Sequence, residues 1–220
     1  VRLARRLEKR LERIVEGATA AVFRGRLHAV DVAGRLLREA DFNAHDGDLG
    51  PEIPNRWFVR MSPADLGDPA AFDELSRELT RTLAEAAAER GWRTSGAVTV
   101  SVSTETGLRP GAVVLDADHA PGPGHVWGQL LDARGGTVLD LADNRMLVGR
   151  SGSADLTVDA PGVSRRHALI YRQGGQCWLV DLESSNGTSV NGAAAGREPT
   201  PLHPGDEVSF GPATFTFRLR

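Results

Sequence analysis

Beyond residue 124 the apolar residues of this 220-residue chain recur at every second position, in runs too short for helices and broken by turn-forming pairs. Val126–Leu131, Val138–Leu141, Met146–Gly149, Ala168–Tyr171, Cys177–Asp181, Glu207–Phe210 and Thr214–Leu219 read as strands. In the last of them Phe215, Phe217 and Leu219 face one way while Thr214, Thr216 and Arg218 face the other. Gly174-Gly175, Asn186-Gly187, Asn191-Gly192 and Pro204-Gly205-Asp206 separate most of these runs. Many short strands without a helical pattern imply a β-sandwich or barrel.

The preceding part has a different period. Leu3, Leu7, Leu11, Ile14, Val15 and Ala18 fall on one face of a helix, and Val32, Leu36, Leu37 and Ala40 mark a second over Val30–Phe42. Asn43–Asn55, with its glycines, prolines and acids, reads as a loop. Arg56–Met61 reads as a strand. Ala70–Arg90 carries the longest helical stripe, with Gly91 as its C-terminal cap. Val98, Val100 and Val102 alternate with polar residues as a half-buried strand does, and Ala112–Leu115 is a further strand. The run Asp118–Gly124, with two prolines and two glycines, defeats both helix and sheet. The expected division is an N-terminal two-layer α/β (α+β) domain over 1–117, a linker over 118–124 and an all-β domain over 125–220.

Charge and composition exclude several classes of function. A net charge of -3 gives no global case for nucleic acid. The motif Gly47-Asp48-Leu49-Gly50 formally fits a KH nucleic-acid loop, yet it is flanked by acids and precedes a strand where two helices are needed. No run of 18 apolar residues and no secretory h-region occur, so the chain reads as cytoplasmic. The single Cys177 forms no internal disulfide and reads as a small packed hydrophobe. Trp127 and Trp178 read as core or sheet-face aromatics. His28, His45, His119, His125 and His203 lack metal-ligand spacing. No nucleophile triad, Walker loop or dinucleotide fingerprint appears, and neither catalysis nor a cofactor is expected.

Within the β domain, polar residues cluster in the loops beyond what packing requires. Gly149-Arg150 ends one strand, Ser164-Arg165-Arg166-His167 precedes the next, and Asp181 opens a run through Ser184, Ser185, Asn186, Gly187, Thr188, Val190, Asn191 and Gly192. These are G-R, S-x-x-H and D-x-x-S-x-N-G-T-x-V-N-G in order, and the region from Gly124 to Arg220 resembles the forkhead-associated (FHA) domain. The resemblance implies a β-sandwich of about eleven strands that binds phosphothreonine peptides through loops at one end. A phosphothreonine carries about -1.5 to -2 charges and three acceptor oxygens, so it calls for a cation and several convergent donors. By motif position the ligand contacts are Arg150, Ser164, Arg165, Ser185 and Asn186. Arg150 offers a guanidinium fork, Ser164 its hydroxyl, and Asn186 a grip on the peptide main chain. Gly149, His167, Gly187, Thr188, Asn191 and Gly192 take loop-holding roles. Preference for threonine comes from a small apolar pocket, one methyl-sized group being worth about 0.8 kcal/mol. The loop Asp159–Val163 faces the third residue after the phosphothreonine and lacks a basic side chain, which argues against an acid there.

The N-terminal part resembles the N-terminal domain of FhaA-like actinobacterial proteins, through Arg6–Gly17 and through the segment Pro54-Asn55-Arg56-Trp57-Phe58-Val59-Arg60-Met61-Ser62-Pro63-Ala64-Asp65. Such proteins end in one FHA domain, as this chain does. Here the linker is short where relatives often have a long tract. The resemblance implies an adaptor in peptidoglycan synthesis and division. Its partners are threonine-phosphorylated proteins: Ser/Thr kinases, or the pseudokinase region of a lipid-II flippase-like protein. Residues 1–13 hold six basic and two acidic side chains, a net +4, on an amphipathic pattern. Two readings stand: a basic helix on an anionic membrane, which would recruit the chain to the inner face, or a helix packed by its leucines with a solvated charged face. A membrane-surface or nucleic-acid role for this domain, with the FHA unit as regulator, is the alternative function. Dimerisation and an internal ligand at Thr104-Glu105-Thr106 are further expectations.

Overall fold

The computed structural model describes residues 27–65 and 70–220. The expected first helix, with its basic face, lies outside the described residues. In chain order the elements are α1 (Ala29–Phe42), β1 (His45–Gly47), β2 (Gly50–Glu52), β3 (Arg56–Met61), α2 (Ala70–Arg90), β4 (Thr99–Thr104) and β5 (Val113–Asp118). Then come β6 (Gly128–Asp132), β7 (Val138–Leu141), β8 (Arg145–Gly149), β9 (Leu156–Thr157), β10 (Ala168–Gln173) and β11 (Gln176–Asp181). The last are β12 (Thr188–Val190), β13 (Ala193–Ala195), β14 (Thr200–Leu202), β15 (Glu207–Phe210) and β16 (Ala213–Leu219). The described residues divide into two compact units, one of residues 27–45, 53–65, 70–87 and 97–122, the other of Asp46–Glu52, Ala88–Gly96 and Pro123–Arg220. Asn43–Asn55, expected as a loop, holds the hairpin β1–β2, whose three-residue strands are too short to show an alternation.

In the first unit β3 is the central strand of the order β4-β3-β5, parallel to β4 and antiparallel to β5. The parallel pair requires a crossover, and α2 supplies it. Trp57, Val59 and Met61 of β3 are buried together with Leu75, Leu79 and Leu83 of α2 and Val32, Leu36 and Ala40 of α1. The opposite face of β3 carries Arg56 and Arg60, ion-paired with Asp118 and with Asp116 and Glu105 on neighbouring segments. Two amides of β4, Val100 and Val102, donate to the hydroxyls of Thr80 and Ser76 on α2, so part of that strand's hydrogen-bonding edge is covered.

The Pro54–Asp65 motif is structural in this setting. Asn55 is buried; its amide nitrogen donates to the carbonyls of Ala97 (3.2 Å) and Ala120 (2.9 Å), and its oxygen accepts from the Ala120 amide at 2.8 Å. Trp57 Nε1 donates to Pro54 O, and the buried Asp65 accepts from the Gly111 amide at 2.7 Å. Asn55→Ala removes three bonds and strands their backbone partners, so it lowers the stability of this unit by about 2–4 kcal/mol. Denaturant midpoints measure this, and a loss below about 0.5 kcal/mol contradicts the role.

The second unit packs a five-stranded sheet, β14-β11-β10-β8-β9, and a six-stranded sheet, β13-β12-β15-β16-β6-β7. Leu130, Leu141, Val148, Ile170, Leu179, Val208, Phe210 and Phe217 are completely buried in one cluster drawn from both sheets. Residues 46–52 and 88–96 belong to this unit and are held at β8. Asn144 donates to Trp92 O, Arg145 donates to the carbonyls of Gly91 and Leu49, and Arg93 pairs with Asp155. No helix among the described residues is long and apolar enough to cross a membrane.

Candidate functional site

The end of β8 and the turn ahead of β10 are in close contact. The Arg150 amide donates to Ser164 O at 2.9 Å and the His167 amide to Val148 O at 2.9 Å. A Cβ on Gly149 would lie 2.1 Å from the carbonyl oxygen of Arg165, so no side chain fits at this crossing.

His167 is completely buried and ties the turn from inside. Its Nδ1 accepts from the Ser164 amide at 3.0 Å, and Nε2 lies 3.1 Å from Gly187 O. That pair of partners requires the neutral ring protonated on Nε2, because Nδ1 faces a donor and Nε2 an acceptor. Burial holds the imidazole below its usual range, against smaller opposing pulls from Gly187 and Asp181. As pH falls through about 6.5 the unfolded chain takes up this proton before the folded one, so stability drops on acidification, by at most about 1.4 kcal/mol per pH unit. Asp143, whose carboxyl burial pushes up to about 6, titrates close by with the opposite sign. The measurement is therefore a comparison of wild type with His167→Gln by denaturation between pH 7.5 and 5.5. The wild type loses more stability than the variant over that interval, and parallel profiles contradict the tautomer assignment.

The third loop begins at Asp181, whose Oδ1 accepts from Thr188 Oγ1 (2.5 Å) and Ser184 Oγ (2.6 Å) and whose Oδ2 accepts from the Ser184 amide (3.0 Å). Burial pushes this carboxyl up, but the bonds from Ser184 and Thr188 more than reverse it and hold it below the usual carboxylate range. Asn186-Gly187 does not make a hairpin: the loop carries the chain from β11 in one sheet to β12 in the other. Asn191 and Gly192 turn the β12–β13 hairpin with φ 50° and 79°, the left-handed pair such a turn demands. Asn191 also donates to Asp206 and accepts from the Glu207 amide.

These loops line one open cavity of about 460 Å³ formed by Arg150, Gly162, Val163, Ser164, Arg165, Arg166, Ser185 and Asn186. All five residues expected to touch a ligand are among them. Across the cavity floor the Ser185 amide donates to Ser164 Oγ at 3.0 Å, and Asn186 Nδ2 donates to Gly162 O at 2.8 Å. Gly162 and Val163, from the loop expected to face the third residue after the phosphothreonine, also line it, as does Arg166, which has no role assigned from the sequence although it lies inside the same S-x-x-H motif. The cavity thus presents guanidinium groups, hydroxyls and an amide with no carboxylate among its lining residues, an arrangement that receives a compact anion.

Other residues of note lie elsewhere. Cys177 is buried, and that burial pushes its thiol up, away from nucleophilic character. Trp127 is a core residue that donates to Asp143 O and is capped by the Arg172 guanidinium, while Trp178 is half-buried on β11. His45 and His119, scattered in sequence, meet edge to face with ring centroids 5.8 Å apart. Thr104 and Thr106 are both exposed, at the end of β4 and in the turn after it.

Two family models match this chain. The FHA domain model matches residues 146–211, which hold all three loops. The model for the FhaA N-terminal domain matches residues 4–115, about half of the chain, and the chain belongs to that family. It is 34% identical over 89 residues to the FHA domain-containing protein FhaA of Mycobacterium tuberculosis, a stretch covering 40% of this chain and 16% of that protein. It is 30% identical over 161 residues to the glycogen accumulation regulator GarA of Mycobacterium tuberculosis, covering 71% and 88%. A match at 43% identity over 72 residues, 31% of this chain and 47% of the relative, is to the oxoglutarate dehydrogenase inhibitor of Corynebacterium diphtheriae. The chain therefore spans about a sixth of FhaA and about half of that inhibitor. Among solved structures, one from work on phosphothreonine-dependent FHA domain interactions is 32% identical, with TM-score 0.40, covering 43% of this chain and 97% of that one. The FhaA FHA domain complexed with the intracellular domain of Rv3910 is 34% identical, with TM-score 0.38, covering 42% and 99%.

Proposed function

We propose that this chain is a non-catalytic signalling adaptor whose C-terminal loops bind phosphothreonine peptides of Ser/Thr-kinase substrates in the cytoplasm. The observation that carries the reading is the single cavity in which Arg150, Ser164, Arg165, Ser185 and Asn186 meet without a carboxylate. In it Arg150 and Arg165 neutralise the phosphate, the Ser164 hydroxyl donates to it, and Asn186 and Ser185 hold the peptide main chain. Gly149, His167, Gly187, Thr188, Asn191 and Gly192 keep the loops in place. The division into 1–117, a linker over 118–124 and 125–220 belongs to the same reading.

Membership of the FhaA N-terminal family extends it to control of cell-wall synthesis and division, with a threonine-phosphorylated pseudokinase of a lipid-II flippase-like protein as the type of partner. The crystallised pairing of the FhaA FHA domain with an intracellular domain supports a protein of that kind as ligand. Fluorescence anisotropy with matched phosphorylated and unphosphorylated threonine peptides tests the proposal. Binding restricted to the phosphorylated member supports it, and equal affinity for both refutes it.

A further inference from the structure

Arg150 reaches the cavity from a short loop, and the far end of that loop is held by a side chain from outside the FHA motifs. Gly149 O accepts from the Val158 amide at 2.9 Å, which marks the edge of β8 that faces β9. Leu147 and Arg145, two and four residues earlier, present their main-chain groups to the same edge. The two-residue β9 pairs only with Val148 and Gly149, so among the described residues no strand continues it opposite Leu147 and Arg145. Side chains take its place. Asp155 Oδ2 accepts from the Leu147 amide at 2.7 Å, and Arg93 Nη1 donates to Arg145 O. The same two side chains form a fork, with Arg93 Nη1 3.0 Å from Asp155 Oδ2 and Nη2 2.7 Å from Oδ1. Only 16% and 20% of these side chains is exposed, so salt screens the pair weakly.

Little slack lies between Asp155 and Arg150, five residues before it. The Arg150 amide donates to Ser164 O, Ser151 O accepts from the Ala154 amide at 3.0 Å, and Ser151 Oγ lies 2.8 Å from Ser153 Oγ. Arg93 Nη2 is also 4.0 Å from Oδ2 of Asp143, itself 17% exposed. Removal of the guanidinium leaves Asp155 and Asp143 as two largely buried carboxylates without the cation that both face. A buried charge is costly unless paired, so Asp155 turns to water, gives up the Leu147 amide and draws the 151–154 turn with it. Arg93 lies within residues 4–115, matched by the FhaA N-terminal model, and outside residues 146–211, matched by the FHA model. We propose that Arg93 is a positioning residue of the phosphopeptide site, fixing through Asp155 the loop from which Arg150 reaches the phosphate. The inference rests on the phosphothreonine reading and deepens it: affinity at the FHA loops depends on a side chain in the segment matched by the other family.

The experiment titrates the full chain against a labelled phosphothreonine peptide by fluorescence anisotropy. Arg93→Ala is expected to bind about tenfold more weakly. That loss persists at high salt, where a mere reduction of long-range attraction fades. Arg93→Lys binds about three- to fivefold more weakly than wild type, because one ammonium does not span both Asp155 oxygens and Arg145 O; it carries the test if the alanine variant does not fold. On an Asp155→Asn background Arg93→Ala costs less than about twofold, since a neutral amide needs no counter-charge and keeps its bond to the Leu147 amide. Arg77→Ala, which removes an exposed ion-paired arginine of α2, leaves affinity unchanged. In spectra of the free Arg93→Ala or Arg93→Lys chain the amides of Ser151–Asp155 shift while those of Phe215–Phe217 stay, which separates displacement of one loop from general loosening. Wild-type affinity in a folded Arg93→Ala or Arg93→Lys chain, loop amides that do not move, or an equal loss with and without Asp155→Asn overturns the inference while the phosphothreonine reading stands. If the wild type binds the phosphorylated peptide no better than its unphosphorylated twin, the underlying reading fails and the inference falls with it.

Discussion

Arg150→Ala lowers phosphothreonine-peptide affinity by about 100-fold while leaving the melting temperature of the chain within about 2 °C of wild type. The two halves of that expectation come from different atoms of one residue. The Arg150 amide donates to Ser164 O and stays in place in the alanine variant, so the contact between β8 and the Ser164 turn survives. Its exposed guanidinium has no ion-pair partner among the described residues, so removing it takes nothing from the folded state. In the complex, the same group forms charge-assisted bonds to a dianion, and losing one partner of such a pair costs about 2–5 kcal/mol. Arg150→Lys recovers only part of the affinity, because a single ammonium does not reproduce the planar fork. Isothermal titration alongside thermal melts checks both halves. An alanine variant that binds within about threefold of wild type, or one that unfolds, contradicts the assignment.

Gly149→Ala has the second large effect, and its origin is steric. The added methyl would sit 2.1 Å from Arg165 O and 2.8 Å from Arg165 C, both backbone atoms that no rotamer change can move aside. Either the strand end or the Ser164–His167 turn must shift, and both carry cavity residues. The expected outcome is a stability loss of about 2–4 kcal/mol and at least about tenfold weaker phosphopeptide binding in the fraction that stays folded. Gly187→Ala is the informative contrast. Gly187 has φ 73° but nothing within 4 Å of a Cβ, so that change meets backbone strain alone and costs about 1 kcal/mol. If the two variants prove equally stable by chemical denaturation, close approach is not the reason for glycine at 149.

The elements legible in the sequence are those whose pattern is long enough to repeat. Arg56–Met61 and Ala70–Arg90 have the expected bounds, since three alternations and nearly six helical turns leave little freedom. β9, β12, β13 and β14 have two or three residues each and went unread; Ala193–Ala195 has no polar residue to alternate with, and Pro201 interrupts β14. Asn186-Gly187 resembles a hairpin signal, yet its loop changes sheets because Asp181 and His167 hold it from both ends. β5 runs on to Asp118, beyond the stretch expected as a strand, since Arg56 on β3 gives that acid a partner across the ladder.

For the cavity, residue types and order were readable but spatial coincidence was not. Spacing alone does not show that a Gly149 methyl would strike Arg165, or that Arg166 joins Arg150 around one opening. Both depend on a turn closed by a completely buried histidine whose partners lie 3 and 20 residues away.

The most direct measurement of the central claim is amide NMR mapping of the chain titrated with a phosphothreonine peptide. The account predicts that shifts concentrate at Arg150, Gly162–Arg166 and Ser185–Gly187, disappear with the unphosphorylated peptide, and include the Ser164 amide held by His167 Nδ1. Phosphate-dependent shifts confined to other surfaces, with these residues unmoved, would contradict it.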